Sequence, residues 1–530
     1  MIRVFHIVLA LLLIATLSTG CDDGDTFAKP GADALADAAG DDIVVEEPDV
    51  YTLGPDVQAV PYGGWDPVEY AGVIWGYSYE GRAIVAERFG DEGPVVYLFF
   101  TIHGNEDTAE QLGERTRSWL IAHPEFTDDV QVVYMTLANP DGYLAGTRYN
   151  TNFEFSNIGV DLNRNFPAAN FDNTDKPKYG PAGGSESETQ AIVAIVEDAA
   201  PSVIITTHSP LEVVNYDGPA ADYAEAASEA SGYPVMVDLG PYPGSFGSYA
   251  GVEMQIPTIT LELESEIGSR AGHEPGIAVM ETVLTMAAER EQPSADLSEV
   301  ITIAERGDGY MAWKLGDSAG QRPLLVERFG DGDSKIAVVA GLDGGDEGVL
   351  VAERLRARLL ALVPIPEIGS GAPFDVLEES VFLITVANPD GVAAGRRLNN
   401  DGLAPDECFP APNWSPGPTS GDNPLAAAES AVLVDFMEPI DLSAAVVLRE
   451  GSWAIGRDGD ADTLLASLRE ALDAPYDRSL EARPGSLASW LGSQGVPTIT
   501  MSVNTNPTGR AVGRAERAAQ ALLDALRSLP

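Results

Sequence analysis

Short, continuous apolar runs alternate along this chain with longer stretches of helical periodicity. Val95-Val96-Tyr97-Leu98-Phe99-Phe100-Thr101 has no polar alternation, which predicts a strand buried on both faces. Asp107 to Leu120 then reads as a helix. Val130 to Leu137 reads as a second strand, ending at an Asn139-Pro140-Asp141-Gly142 turn. Glu186 to Glu197 predicts a helix, and Val203–Thr207 and Thr258–Leu263 predict two further strands. Buried strands alternating with helices predict an α/β fold: a mixed, mostly parallel central sheet flanked by helices.

The pattern occurs twice. Glu87-Arg88-Phe89-Gly90-Asp91 returns as Glu327-Arg328-Phe329-Gly330-Asp331, and Ala138-Asn139-Pro140-Asp141-Gly142 returns as Ala387-Asn388-Pro389-Asp390-Gly391. Pro243-Gly244-Ser245 recurs as Pro484-Gly485-Ser486, and Pro257-Thr258-Ile259-Thr260 recurs as Pro497-Thr498-Ile499-Thr500. The order is kept at offsets of about 240 residues, which predicts two tandem copies of one domain, 61–297 and 298–530. The charged stretch Glu289 to Glu299 would hold the junction.

The first residues break the pattern. Arg3 precedes an apolar run from Ile7 to Leu17, too short for a confident membrane span, so 1–21 reads as an export signal. Its end, Leu17-Ser18-Thr19-Gly20-Cys21, resembles a bacterial lipoprotein cleavage box in which Cys21 would carry the lipid; the alternative is an ordinary secretory signal. Ser18 departs from the usual aliphatic residue. Residues 22–60, rich in Asp, Ala, Gly and Pro, read as a flexible acidic tether. Localisation would be the bacterial cell envelope, with membrane contact only through the N-terminal lipid. One further cysteine, Cys408, excludes a disulfide framework. A formal charge of −51 argues against nucleic acid as a partner and against a polybasic membrane patch.

Candidate chemistry gathers in the first copy. Of five histidines, His103 stands in His103-Gly104-Asn105-Glu106 directly after a strand, and His208 directly follows another. Ligands collect beyond the carboxyl ends of strands in open α/β sheets. Two imidazoles and a carboxylate suit zinc with an open fourth position. Alone, His-x-x-Glu is as well explained by a solvated histidine near a helix start. Between the two segments lies Val160-Asp161-Leu162-Asn163-Arg164-Asn165-Phe166-Pro167, whose Asn163 and Arg164 offer donors for a carboxylate, and upstream is Gly146-Thr147-Arg148-Tyr149-Asn150. Glu262 sits on an apolar strand, where a carboxylate needs a partner or a polar cavity; Glu264 and Glu266 are the competing carboxylates.

This ordered set resembles the carboxypeptidase A-like zinc metallopeptidases over roughly Trp75 to Glu266. Thr207-His208-Ser209-Pro210-Leu211 and Pro243-Gly244-Ser245-Phe246-Gly247-Ser248 are similar to the bacterial murein peptide amidase branch. The resemblance implies that His103, Glu106 and His208 ligate one zinc per chain and that Asp161 orients His103. It implies that Glu262 is the general base, that Arg148 stabilises the oxyanion, and that Asn163 and Arg164 hold a free carboxylate. The family usually closes the site with a loop tyrosine, for which the alternatives here are Tyr242, Tyr249 and neither. The implied activity is hydrolysis of a peptide-like amide next to a free carboxylate, with cell-wall peptides as the substrate class. Alternatives are a general protein carboxypeptidase, a deacylase of small acylated amino acids, and a non-catalytic surface binding protein.

The second copy keeps none of the metal ligands. Asp343 and Asp346 stand for His103 and Glu106, Asp406-Glu407 for Asn163-Arg164, Arg449 for His208, and Thr500-Met501-Ser502 for Thr260-Leu261-Glu262, while Arg397 matches Arg148. No histidine follows His273. The expectation is a degenerate copy with a structural or binding role, although Asp343 with Asp346 could suit a hard cation.

Overall fold

The computed structural model describes residues 72–237, 242–264, 270–290, 310–362, 377, 379–472, 483–503 and 512–527. The signal, Cys21, the tether and most of the junction lie outside them. In the first copy the strands are β1 (Gly72–Tyr77), β2 (Ala83–Phe89), β3 (Val95–Phe99), β4 (Gln131–Met135), β5 (Val203–His208), β6 (Val213–Asp217) and β7 (Thr258–Glu262). They form one seven-stranded sheet ordered β1-β2-β4-β3-β5-β7-β6. β4, β3, β5 and β7 are parallel; β2 and β6 pair antiparallel on either side of them, and β1 pairs antiparallel with β2 at one edge. The second copy repeats this with β8 (Tyr310–Asp317), β9 (Pro323–Phe329), β10 (Lys335–Val339), β11 (Ser380–Ile384), β12 (Ala444–Glu450), β13 (Ala454–Asp458) and β14 (Thr498–Val503). Its order, β8-β9-β11-β10-β12-β14-β13, is the same position for position. The fold is therefore two tandem α/β copies. The inner strands are buried throughout and mostly apolar because helices cover both faces.

The Asn-Pro-Asp-Gly segment is not a free turn. It opens a short helix, α2 (Pro140–Ala145), which follows α1 (Asp107–Ala122). Asn139 caps α2 by accepting from Gly142 N at 2.8 Å, and Pro140 fits the first turn, where no N–H is needed. The other side of the Asn139 amide donates to Ile102 O at 3.1 Å, so the cap also fixes the loop that carries His103. The contact is tight: a Cβ on Gly104 would lie 2.0 Å from the carbonyl carbon of Gly142. Asp141 ties the β1–β2 hairpin to this corner through Ser78, the Glu80 N–H and Arg82. The second copy repeats the cap and brace with Asn388, Gly391, Asp390, Ser318 and Arg322.

Both copies belong to one compact unit running from Gln58 to Pro530. α1 packs against its counterpart in the second copy, the helix Asp346–Leu360. Arg117 on α1 and Arg356 on the partner helix are almost wholly buried at this contact. Arg117 grips Glu87 of its own copy at 2.8 Å, then reaches Glu353 and Glu327 of the second copy, both at 2.9 Å. Arg356 mirrors it, binding Glu327 and Glu87 at 2.6 Å each. Thr385 and Thr136 accept the remaining donations at 3.0 Å. Corresponding residues thus exchange contacts across a local two-fold axis, the form of an isologous dimer interface built within one chain.

Candidate metal centre and active site

The parallel register builds the site. β5 and β7 run side by side with His208 opposite Glu262, at the carboxyl end of the sheet. His103 and Glu106 enter from the loop after β3, with Glu106 immediately before α1. Glu106 is the helix N-cap by position, yet its side chain makes no capping bond and turns to the imidazoles instead. His103 Nδ1 is 2.8 Å from Glu106 Oε1, His208 Nδ1 is 2.9 Å from Glu106 Oε2, and the two Nδ1 atoms are 3.0 Å apart. All three side chains offer a ligand atom within 4.8 Å of the others, the one such group among the described residues.

The electrostatics fit a cation at the centre. Asp161 Oδ1 lies 3.2 Å from His103 Nε2, and Arg148 Nε donates to Asp161 Oδ2 at 3.0 Å. Burial alone would raise Asp161, but Arg148 and His103 hold it well below the usual carboxylate range. An ionised Asp161 only accepts, so His103 Nε2 carries the hydrogen and a neutral ring presents its Nδ1 lone pair inward. Glu106, likewise buried, is lowered by the two imidazoles. A single cation shared by the converging Nδ1 and carboxylate donors satisfies them at once, and the donor set is one zinc accepts.

Around this centre stand the remaining residues singled out in the sequence. Arg148 Nη1 reaches Glu106 Oε1 at 3.1 Å. Asn163 Oδ1 accepts from Phe246 N at 2.9 Å, and its Nδ2 stands 3.3 Å from His208 Nε2. Glu262 Oε2 is buried without a hydrogen-bond partner. Burial raises the Glu262 pKa and Glu106 adds to this, against His208, the Leu211 N–H and Arg148. Glu264 lies outside β7, 3.5 Å from the Tyr233 hydroxyl, and Glu266 is outside the described residues. The two tyrosine candidates separate: Tyr249 is buried against Phe166 and bonds Glu197, whereas Tyr242, 49% exposed, lies over the Arg164 guanidinium at 4.4 Å.

The second copy holds the replacements in register. Arg449 pairs with Ser502 as His208 pairs with Glu262. Leu487 N donates to Asp406 as Phe246 N does to Asn163. Asp343 and Asp346 do not act together: Asp343 accepts from Gly345 N and Glu450 N, while Asp346 pairs with Arg115 across the copy interface at 3.1 Å.

The zinc carboxypeptidase family profile matches residues 70–234; the match covers His103 and His208 and stops before β7. Among curated proteins, murein peptide amidase A of Escherichia coli is 33% identical over 139 residues, 23% of this chain and 54% of that protein. The Vibrio campbellii protein of the same name is 33% identical over 141 residues, 24% and 53%. The chain thus spans about half the length of these curated relatives. Of solved structures, the murein-tripeptide amidase of Escherichia coli is similar at 25% identity and a TM-score of 0.30, over 43% of this chain and 96% of that one. Bovine thrombin-activatable fibrinolysis inhibitor follows at 17% and 0.37, over 42% and 91%.

Proposed function

We propose that the first copy is a zinc metallocarboxypeptidase that hydrolyses a peptide-like amide next to a free carboxylate, with cell-wall peptides as substrate. The observation that carries this reading is the convergence of His103, Glu106 and His208 with Glu262 on the neighbouring strand. His103, Glu106 and His208 would hold one zinc per chain. What zinc supplies when bound is Lewis acidity toward the scissile carbonyl and the attacking water. Glu262, with a raised pKa and an unpartnered oxygen, takes the proton from water and delivers it to the leaving amine. Arg148, whose Nη2 has no hydrogen-bond partner among the described residues, meets the carbonyl oxygen as charge develops there. Arg164, with Asn163 beside it, receives the substrate carboxylate and Tyr242 closes over it.

The murein peptide amidase relatives support cell-wall peptides over general proteins. Export through residues 1–21 and lipidation at Cys21 belong to the same reading, and the second copy is silent in it. The test is digestion of purified cell-wall tripeptide beside an ordinary L-peptide and their amidated forms, with metal analysis. One zinc per chain and cleavage of the free-acid cell-wall peptide support the reading. Equal rates on free and amidated substrates remove the carboxylate clamp, and preference for the L-peptide replaces the substrate class. Cys21→Ser should release the protein from membranes; unchanged membrane association removes the lipid anchor.

A further inference from the structure

Arg449 is the oddest residue in the second copy. It occupies the strand-end position of a metal-ligating histidine, is only 8% exposed, and makes no side-chain hydrogen bond or ion pair among the described residues. Its guanidinium is largely withdrawn from solvent and unpaired, yet none of its nitrogens is fully sealed off, so its donors remain open to a ligand. A simple plug for a lost metal would pair with Asp343, which stands where His103 stood. Both Asp343 oxygens are instead taken by backbone N–H groups, of Gly345 at 3.3 Å and Glu450 at 3.1 Å. A second arginine approaches the same place. Phe409 N bonds Gly485 O as Phe166 N bonds Gly244 O, so Arg483 occupies the position of Tyr242 over the mouth. Its one ion pair is long, 3.7 Å to Asp406, and its side chain is 37% exposed. Arg397, by contrast, is paired with Glu407. Ser502, a far smaller side chain than glutamate, neighbours Arg449 on the adjoining strand.

We propose that the second copy binds the free carboxylate of a peptide or amino acid, held between Arg449 at the floor and Arg483 at the mouth. A carboxylate is the planar partner that two guanidinium forks satisfy, and it takes up the donors that Arg449 leaves unused. Asp343, Asp406 and Asp458 stand near Arg449, and Glu450 stands near Asp343, so carboxylates already offset the two arginines, which favours a singly charged ligand over a phosphate. In the first copy the proposed carboxylate contact is Arg164, in that copy's own cleft, so this is a separate site and does not depend on the activity of the first.

The test uses the full chain carrying Glu262→Gln and Arg164→Ala, so that ligand is neither turned over nor held by the first clamp. Calorimetry is run with N-acetyl-alanyl-alanine, with its C-terminal amide, and with inorganic phosphate. Saturable binding of the free acid is expected, with none of the amide. Arg449→Met should weaken the acid by about tenfold or more. Arg483→Gln, at an exposed position that does not threaten folding, should weaken it in the same direction. Arg449→Met in the otherwise native chain should leave hydrolysis unchanged. No saturable binding of the acid up to about 10 mM, equal binding of acid and amide, or full affinity in both arginine variants overturns the proposal. Tighter binding of phosphate than of the acid overturns the carboxylate assignment.

Discussion

At the carboxyl end of one sheet stand two histidines, a glutamate between them and a depressed aspartate; at the same place on the other stand two aspartates, an arginine and a serine. The frames beneath them are nearly interchangeable. Both copies keep the strand order, the asparagine-capped helix and the aspartate that ties the first hairpin to it. What is kept is what packs and satisfies backbone groups. What differs projects into the cleft, where a side chain answers to a ligand rather than to the core. The charges differ in consequence. Glu106 and Asp161, though buried, are held low by imidazoles and Arg148, whereas in the second copy burial pushes Asp343 up and Asp406 up to about 6.

The sharpest way to break this contrast is at the metal centre. His103→Ala or His208→Ala should remove both zinc and hydrolysis, measured by metal analysis and turnover, because two ligands do not hold a catalytic ion. Glu262→Gln should keep the zinc and lose turnover by about 100-fold or more, the range for a positioned acid–base group. Two tightly bound zinc ions per chain, or an active Glu262→Gln beside a dead Glu264→Gln, would contradict the assignment. Asp343→Ala and Asp346→Ala should leave zinc content unchanged.

Next in size is the link between the copies. Arg356→Met removes a cation that Glu87 and Glu327 share in a site closed to water. Removing one member of such a network costs about 3–5 kcal/mol, measured by denaturant unfolding of the full chain. Arg117→Met should cost a similar amount, and the double variant less than the sum, since each arginine serves both glutamates. A loss below about 1 kcal/mol, the value of an exposed pair, would show that the halves do not support each other here.

That network also marks the limit of what the sequence discloses. The inner strands and the long helix after the first one were legible, because continuous apolar runs and a 16-residue helical stretch leave little choice. The grouping of His103, Glu106 and His208 was legible because His103 follows one inner strand and His208 ends the next. β1, β2 and β6 were passed over: they lie at or next to the edges of the sheet, and their sequences mix polar or glycine residues with apolar ones. Asn139-Pro140 was read as a turn although asparagine followed by proline is also a helix start. Tyr242 and Tyr249 differ only in burial, which no local pattern states. Arg117 and Glu87 look like a solvated face when read alone. The available signal was the recurrence of Glu-Arg-Phe-Gly-Asp, whose glutamates, Glu87 and Glu327, are the buried anions that both arginines share.

The substrate clamp gives a smaller and more selective effect. Arg164→Ala should raise KM for free-acid substrates by about 10- to 100-fold, the value of a charge-assisted bidentate contact, with little effect on amidated substrates that are already poor. Tyr242→Phe should change less, because the ring remains over the guanidinium and only the hydroxyl is lost. A uniform loss on both substrate types would place Arg164 in the support of the site rather than in recognition.

The smallest effect tests the charge contrast itself through pH. Asp406 is buried, and its pKa lies at about 6 against an ordinary 3.8, chiefly through burial, with Arg483 and Arg449 opposing and Asp343 adding. A carboxylate raised in the folded state binds its proton more tightly there than in the unfolded chain. Its contribution to stability is complete below 3.8 and is lost as pH rises through about 6. Asp161 has the opposite sign: its contribution is present above 3.8 and is lost only as pH falls through its lower folded value. Between pH 7 and 5 the two windows do not overlap. Asp406→Asn retains an acceptor for Leu487 N and cannot titrate. Acidification from pH 7 to 5 should therefore stabilise the native chain over this variant by about 1 kcal/mol, read as the difference between their unfolding free energies at each pH. Parallel pH curves for the two proteins would mean that the second copy holds Asp406 as an ordinary ionised group, and the opposition between the two clefts would be one of residue type alone.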